Sequence, residues 1–143
     1  MTLGINEITK VLQHRYPFLL IDRIQSQEYG KYVEAIKNVS VNEPWATGHF
    51  PGNPIYPGVL TIESSAQAGG FLFYNENDSN PVVKGVLARV DNFKFVKEIR
   101  PGDQLLIRVD LVNRMGNFVQ AKVKITVDSK KVAEGDLTYA VSE

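Results

Sequence analysis

Residues 59–74, VLTIESSAQAGGFLFY, form the longest run with helical spacing in the chain, and they are apolar on nearly every side. A helix of that kind is not a surface helix, because it has no polar face to give to water. Something must enclose it. Pro57 lies just ahead of the run, where a missing N–H costs nothing at a helix start. Asn75-Glu76-Asn77-Asp78-Ser79-Asn80-Pro81 then supplies the turn chemistry that stops it.

The material available to enclose the helix is β-rich. Ile5, Ile8, Val11 and Leu12 have the spacing of one short amphipathic helix. Phe18 to Ile24 and Tyr32 to Val41 read as strands, as do residues 82–90 and 92–97. Leu105, Ile107, Val109 and Leu111 alternate with more polar neighbours, and Ala121, Val123, Ile125 and Val127 share one strand face opposite Lys122, Lys124 and Thr126. A last strand runs from Lys131 to Val141, and residues 114–117 and 128–130 suit hairpin turns. The economical architecture is α+β, an antiparallel sheet wrapped around one long central helix, the hot-dog fold.

With 143 residues and no linker, repeat or low-complexity tract, residues 1–143 are read as a single domain. Sixteen Lys and Arg balance sixteen Asp and Glu, so net charge draws the chain toward neither nucleic acid nor an anionic membrane. The absence of cysteine excludes disulfides, thiolate catalysis and Cys-based zinc sites. The first residues, MTLGINEITKVLQHRYPFLL, lack the basic region and long apolar run of a secretory signal. No apolar stretch approaches the roughly 20 residues that span a bilayer. A cytoplasmic protein with no membrane insertion is expected.

Chemistry concentrates around the start of the long helix. Glu63 and Gln67 are four residues apart and so share a helix face, among Val59, Leu60, Ile62, Ala66 and Phe71. A carboxylate in such surroundings either finds hydrogen-bond partners or has its pKa raised, and in the second case it serves as a general acid near neutral pH. His49 lies in Gly48-His49-Phe50-Pro51-Gly52-Asn53-Pro54, whose Gly and Pro residues fix the backbone. Such an imidazole is a structural hydrogen-bonding group or a general base. Gly58 offers an unhindered N–H at the positive end of the helix dipole, suited to a carbonyl oxygen gaining charge. Base, acid and oxyanion donor together fit proton abstraction beside a carbonyl with loss of a β-leaving group. His14 is read as a structural or interface residue. Two distant histidines without HxH or HxxxH spacing give no metal site, and the chain has neither GxGxxG nor a Walker motif. Trp45, Phe50, Tyr56 and Phe71 are candidates for the wall of an acyl tunnel, or ordinary core aromatics.

The chain resembles the FabZ-type (3R)-hydroxyacyl-[acyl-carrier-protein] dehydratases over nearly its whole length. The resemblance rests on five stretches: residues 14–23 (HRYPFLLIDR), 37–43 (KNVSVNE), 48–54 (GHFPGNP), 57–60 (PGVL) with Glu63, Ala66 and Gln67, and 101–105 (PGDQL). It implies a hot-dog homodimer, commonly a trimer of dimers, with each active site built across two subunits. By the same resemblance His49 removes the α-proton, Glu63 protonates the departing β-hydroxyl, the Gly58 N–H polarises the thioester carbonyl, and Gln67 orients Glu63. The partner implied is acyl carrier protein. No cofactor or metal is implied, since the substrate brings its own phosphopantetheine arm.

The sequence departs from the family pattern at Gln13, where proline is usual, and at Trp45-Ala46, which replaces two phenylalanines. Tyr56 stands for Met or Phe, Ser64-Ser65 for a small Ala-containing pair, and Val96 to Arg100 for a more basic segment. None alters the acid/base pair, so the departures bear on substrate choice, with fatty-acid or specialised polyene and polyketide-like pathways both open. Lys94, Lys97 and Arg100 are candidates for steering an acidic carrier protein, or members of a solvated strand face. The competing functions are a hot-dog thioesterase, which would not explain His49 beside Glu63, and a non-catalytic acyl-carrier-binding subunit, which has no use for a buried carboxylate.

Overall fold

The structure, a computed structural model, describes residues 2–83 and 85–142. Helix α1 (Ile5–Val11) precedes strands β1 (Arg23–Glu28) and β2 (Tyr32–Asn38); a 3-10 turn spans Pro44–Thr47, and helix α2 (Gly58–Gly69) follows. The chain ends in β3 (Gly85–Phe95), β4 (Gln104–Met115), β5 (Phe118–Val127) and β6 (Lys130–Val141). All six strands form one sheet in the order β1-β2-β4-β5-β6-β3, and every neighbouring pair is antiparallel. Helix α2 packs across one face of that sheet, against β2, β4 and β3. No helix among the described residues is long and apolar enough to cross a membrane.

Strand register explains the core. Ala35, Ile107, Ile125 and Ala133 stand side by side across β2, β4, β5 and β6, and all four are wholly buried. Side chains on one strand face alternate with those on the other, so this one row fixes which face is core along each of these strands. A second row, Val33, Val109 and Val123, ends at Gly135. A Cβ there would overlap the Phe93 ring, so the glycine makes room for Phe93 from the edge strand.

Helix α2 differs from the sequence expectation in length and in which face it buries. It ends at Gly69 instead of running to Tyr74; the Gly70 N–H bonds to the Ala66 and Gln67 carbonyls, and Phe71, Leu72 and Tyr74 continue in tight i-to-i−3 turns. The buried face carries Thr61, Ser64, Ser65, Gln67 and small residues, while Val59 is largely exposed and Leu60 and Ile62 only half-buried. The hydroxyls satisfy themselves on the helix: Thr61 donates to the Pro57 carbonyl, Ser64 to Leu60 and Ser65 to Thr61, at 3.1, 2.7 and 2.9 Å. With their polar atoms paired, short side chains cost little to bury. Of the expected strands 82–90 and 92–97, residues 85–95 form one strand, β3, while 82–83 and 96–97 lie outside it and Lys84 is outside the described residues. A register shift interrupts β3 between Asp91 and Lys94, where Asn92 takes a positive φ of 52°. The strand expected over Phe18 to Ile24 begins only at Arg23, and residues 18–22 are irregular.

Candidate active site

The loop before α2 holds His49 by its backbone and by one ring nitrogen. The His49 N–H donates to the Trp45 carbonyl at 3.0 Å, and the His49 carbonyl accepts the Ile55 N–H at 2.8 Å. Its Nδ1 lies 2.8 Å from the Ile55 carbonyl oxygen. A carbonyl only accepts, so Nδ1 carries the proton in this contact and Nε2 is left with its lone pair. The ring is half-buried and stacks on Phe50, with centroids 4.1 Å apart. A neutral imidazole held in this tautomer is equipped to take a proton at Nε2.

Glu63 is oriented by its own helix and by the segment before β1. Gln67 Nε2 donates to Glu63 Oε2 at 3.0 Å and to the Phe18 carbonyl at 2.8 Å, while Gln67 Oε1 accepts the Leu20 N–H at 2.9 Å. Gln67 is thus a buried side chain tied at both ends of its amide, and one end holds the carboxyl. The Glu63 side chain keeps 25% of its surface exposed, so it is less enclosed than the apolar pattern around it predicts. His14, read from sequence as structural, has its Nε2 3.6 Å from the same Oε2. That proximity was invisible locally, because 49 positions separate the two residues.

A cavity of about 500 Å³ opens on this group, lined by His14, Glu63, Gln67, Val86, Leu87 and Tyr139 among others. A second, of about 230 Å³, continues past Gly70, Val83, Gly85 and Tyr139 toward Phe73 and Arg114. His49 lines neither, and no hydrogen bond or ion pair joins His49 to Glu63 among the described residues. One chain therefore presents a carboxyl in a cavity and, separately, an imidazole with a free nitrogen.

The remaining candidates fall in several environments. Gly58 opens α2 against the Phe95 ring, which a Cβ at that position would approach to 3.0 Å. Tyr56 and Phe71 are buried in the core, Trp45 meets Tyr56 edge-on at 5.2 Å between centroids, and Phe50 is half exposed. The Tyr56 hydroxyl bonds Ser64 Oγ at 2.8 Å, so two of the departures from the family pattern meet each other. Arg100 bonds Glu98 and Asn53, at 2.6 and 2.7 Å, and Lys94 borders a shallow depression with Glu134 and Asp136. Lys97 is exposed. Around two of the three docking candidates, positive charge is therefore offset locally.

Residues 12–136 match the family model described as a FabA-like domain, and the chain belongs to that family. A Listeria welshimeri protein named 3-hydroxyacyl-[acyl-carrier-protein] dehydratase FabZ is 43% identical over 141 residues, 99% of this chain and 97% of its own. A Sulfurovum protein of the same name is 45% identical over 144 residues, covering 96% and 95% of the two chains. Among solved structures, the dehydratase heterocomplex ApeI:P from Xenorhabdus doucetiae aligns with a TM-score of 0.74 at 18% identity, covering 95% of this chain and 91% of that one. A hot-dog-like protein from Thermanaerovibrio acidaminovorans aligns at 0.64, also at 18% identity, over 82% and 84% of the two chains. At that identity these structures speak to the fold alone: it is the α+β hot dog.

Proposed function

We propose that this protein dehydrates 3-hydroxyacyl groups carried on acyl carrier protein to trans-2-enoyl groups, in fatty-acid or related biosynthesis, at sites assembled from two copies of the chain. The activity is that named for its relatives at 43% and 45% identity across nearly their full lengths. His49 Nε2 removes the α-proton of the thioester. The C–O bond at the β-carbon breaks as Glu63 gives its proton to the leaving hydroxyl, so that water departs. The Gly58 N–H, at the positive end of α2, receives the charge that builds on the thioester oxygen. The proton on His49 and the vacancy on Glu63 cancel through solvent, and no cofactor enters the balance. The carrier's phosphopantetheine arm delivers the acyl chain along the cavity beside Glu63.

The observation that carries the shared site is the separation of its two halves: within one chain His49 has no part in the cavity that Glu63 lines. The edge strand supports the same reading. Val86, Val90 and Phe95 leave apolar surface exposed along β3, with Val96 just beyond it, on a sheet edge, and an exposed apolar edge of this kind marks a surface for another chain to cover. Lys94, Lys97 and Arg100 remain the proposed contact for an acidic carrier. Replacing His49 by Ala and Glu63 by Gln, separately, is expected to abolish enoyl product from a 3-hydroxyacyl carrier substrate while leaving folding intact. Undiminished turnover in either variant overturns the assignment, and release of free acid instead of enoyl product turns it to a thioesterase.

A further inference from the structure

We infer that His14 is a positioning residue for the acid, holding the Glu63 carboxyl jointly with Gln67 so that Oε1 is the oxygen that carries and delivers the proton. The inference rests on the assignment of Glu63 as the acid. Two nitrogens converge on one oxygen: Gln67 Nε2 at 3.0 Å and His14 Nε2 at 3.6 Å from Oε2. The second distance is longer than a hydrogen bond, but such contacts often tighten only once substrate is in place. An oxygen faced by two donors is the poor place for a proton, which leaves Oε1.

The tautomer follows from the other ring nitrogen. His14 Nδ1 is buried and has no hydrogen-bond partner among the described residues. With the proton on Nε2, that atom points an N–H at a carboxyl oxygen and leaves Nδ1 as an unpaired acceptor. With the proton on Nδ1, a buried N–H has no acceptor and a lone pair meets a lone pair at Oε2. Buried orphan N–H groups are the rarer and costlier of the two, so His14 is an Nε2–H donor.

The loop that carries His14 is built to hold it. Arg15 donates to the carbonyls of Leu12, His14 and Thr9 at 2.8, 2.7 and 3.0 Å, closing the segment on itself. The imidazole stacks on Phe18 at 6.1 Å between centroids, and the Phe18 carbonyl is one of the two backbone anchors of Gln67. The two holders of Glu63 therefore share a support.

Steady-state kinetics of His14→Ala, His14→Gln and His14→Asn on a 3-hydroxyacyl carrier substrate tests this, with thermal melts of each variant. A glutamine amide reaches the place of Nε2, whereas an asparagine amide reaches only that of Nδ1. The Ala variant is expected to lose kcat by about 10- to 100-fold, the range a displaced catalytic group incurs, with KM within about threefold of the parent. The Gln variant is expected to recover most of that loss and the Asn variant little. A kcat within about twofold of the parent in His14→Ala, or equal behaviour of folded Gln and Asn variants, overturns the inference. If the Ala variant does not fold, the contrast between Gln and Asn decides alone. An inactive Glu63→Gln alongside an unimpaired His14→Ala removes only this inference, whereas an active Glu63→Gln removes the assignment beneath it.

Discussion

Replacing Gln67 by Leu leaves a branched side chain of similar size and removes every polar contact it makes. The change deletes the bonds to the Phe18 carbonyl, the Leu20 N–H and the Glu63 carboxyl, at 2.8, 2.9 and 3.0 Å. A net hydrogen bond contributes about 1 kcal/mol, and a donor left unpaired in the interior costs about 1 to 3 kcal/mol. Leu20 is buried, so its N–H cannot turn to water, whereas Phe18 and Glu63 retain solvent access. The sum is a loss of about 3 kcal/mol, which for a chain of this size lowers Tm by roughly 9 °C. Scanning calorimetry at one fixed protein concentration reads it, because the Tm of any self-associating protein depends on concentration. The carboxyl also loses its orientation, so kcat measured well below Tm is expected to fall by about tenfold or more. A Tm within about 3 °C of the parent and an unchanged kcat in Gln67→Leu would show that Gln67 neither anchors the segment before β1 nor orients Glu63.

Gly69→Ala is expected to cost about 3 kcal/mol by overpacking, because the new Cβ would overlap the Tyr139 hydroxyl; thermal melts check it, with partial relief expected when Tyr139→Phe is added. Tyr56→Phe and Ser64→Ala each remove one side of a buried 2.8 Å hydrogen bond, and a double-mutant cycle by denaturant unfolding is expected to give a coupling of about 1 kcal/mol. Burial pushes the Tyr139 phenol up, with the Glu63 charge adding to it. Burial likewise raises Tyr56, against the lowering effect of its bond to Ser64. Unfolded tyrosine releases its proton near pH 10 while these two stay protonated in the fold, so their contribution is complete below that pH and is lost as pH rises above it. The expected slope is about 1.4 kcal/mol per pH unit for each tyrosine; denaturant unfolding between pH 9 and 12 reads it, and Tyr139→Phe flattens it.

The amino-acid pattern made the sheet, the central helix and the loop of His49 legible, because alternation, helical spacing and Gly-Pro turns are local features. Phe18 to Asp22 looked like strand for the same local reason, being apolar and extended. Its backbone is used otherwise: the Phe18 carbonyl and Leu20 N–H pair with the Gln67 side chain instead of a neighbouring strand. Phe71 and Leu72 keep the helical apolar spacing past Gly69 and Gly70, yet the chain tightens there into short turns. Val59 and Val86 carry an apolar pattern that says only that such residues avoid water, without saying whether their own core or another copy covers them. His14 gave no local sign of its place, since its approach to Glu63 depends on how the segment after α1 meets α2 in space.

In the proposed site His49 of one copy works with Glu63 of another. Co-expression of His49→Ala and Glu63→Gln chains in equal amounts tests it, with carrier-substrate turnover measured on the purified mixture. Each mixed dimer then holds one site with both residues intact and one with neither, and half of randomly paired dimers are mixed. Turnover of about one quarter of the parent's is expected where each variant alone has none. No recovery, with mixed dimers demonstrated by differential tags, would contradict the shared site.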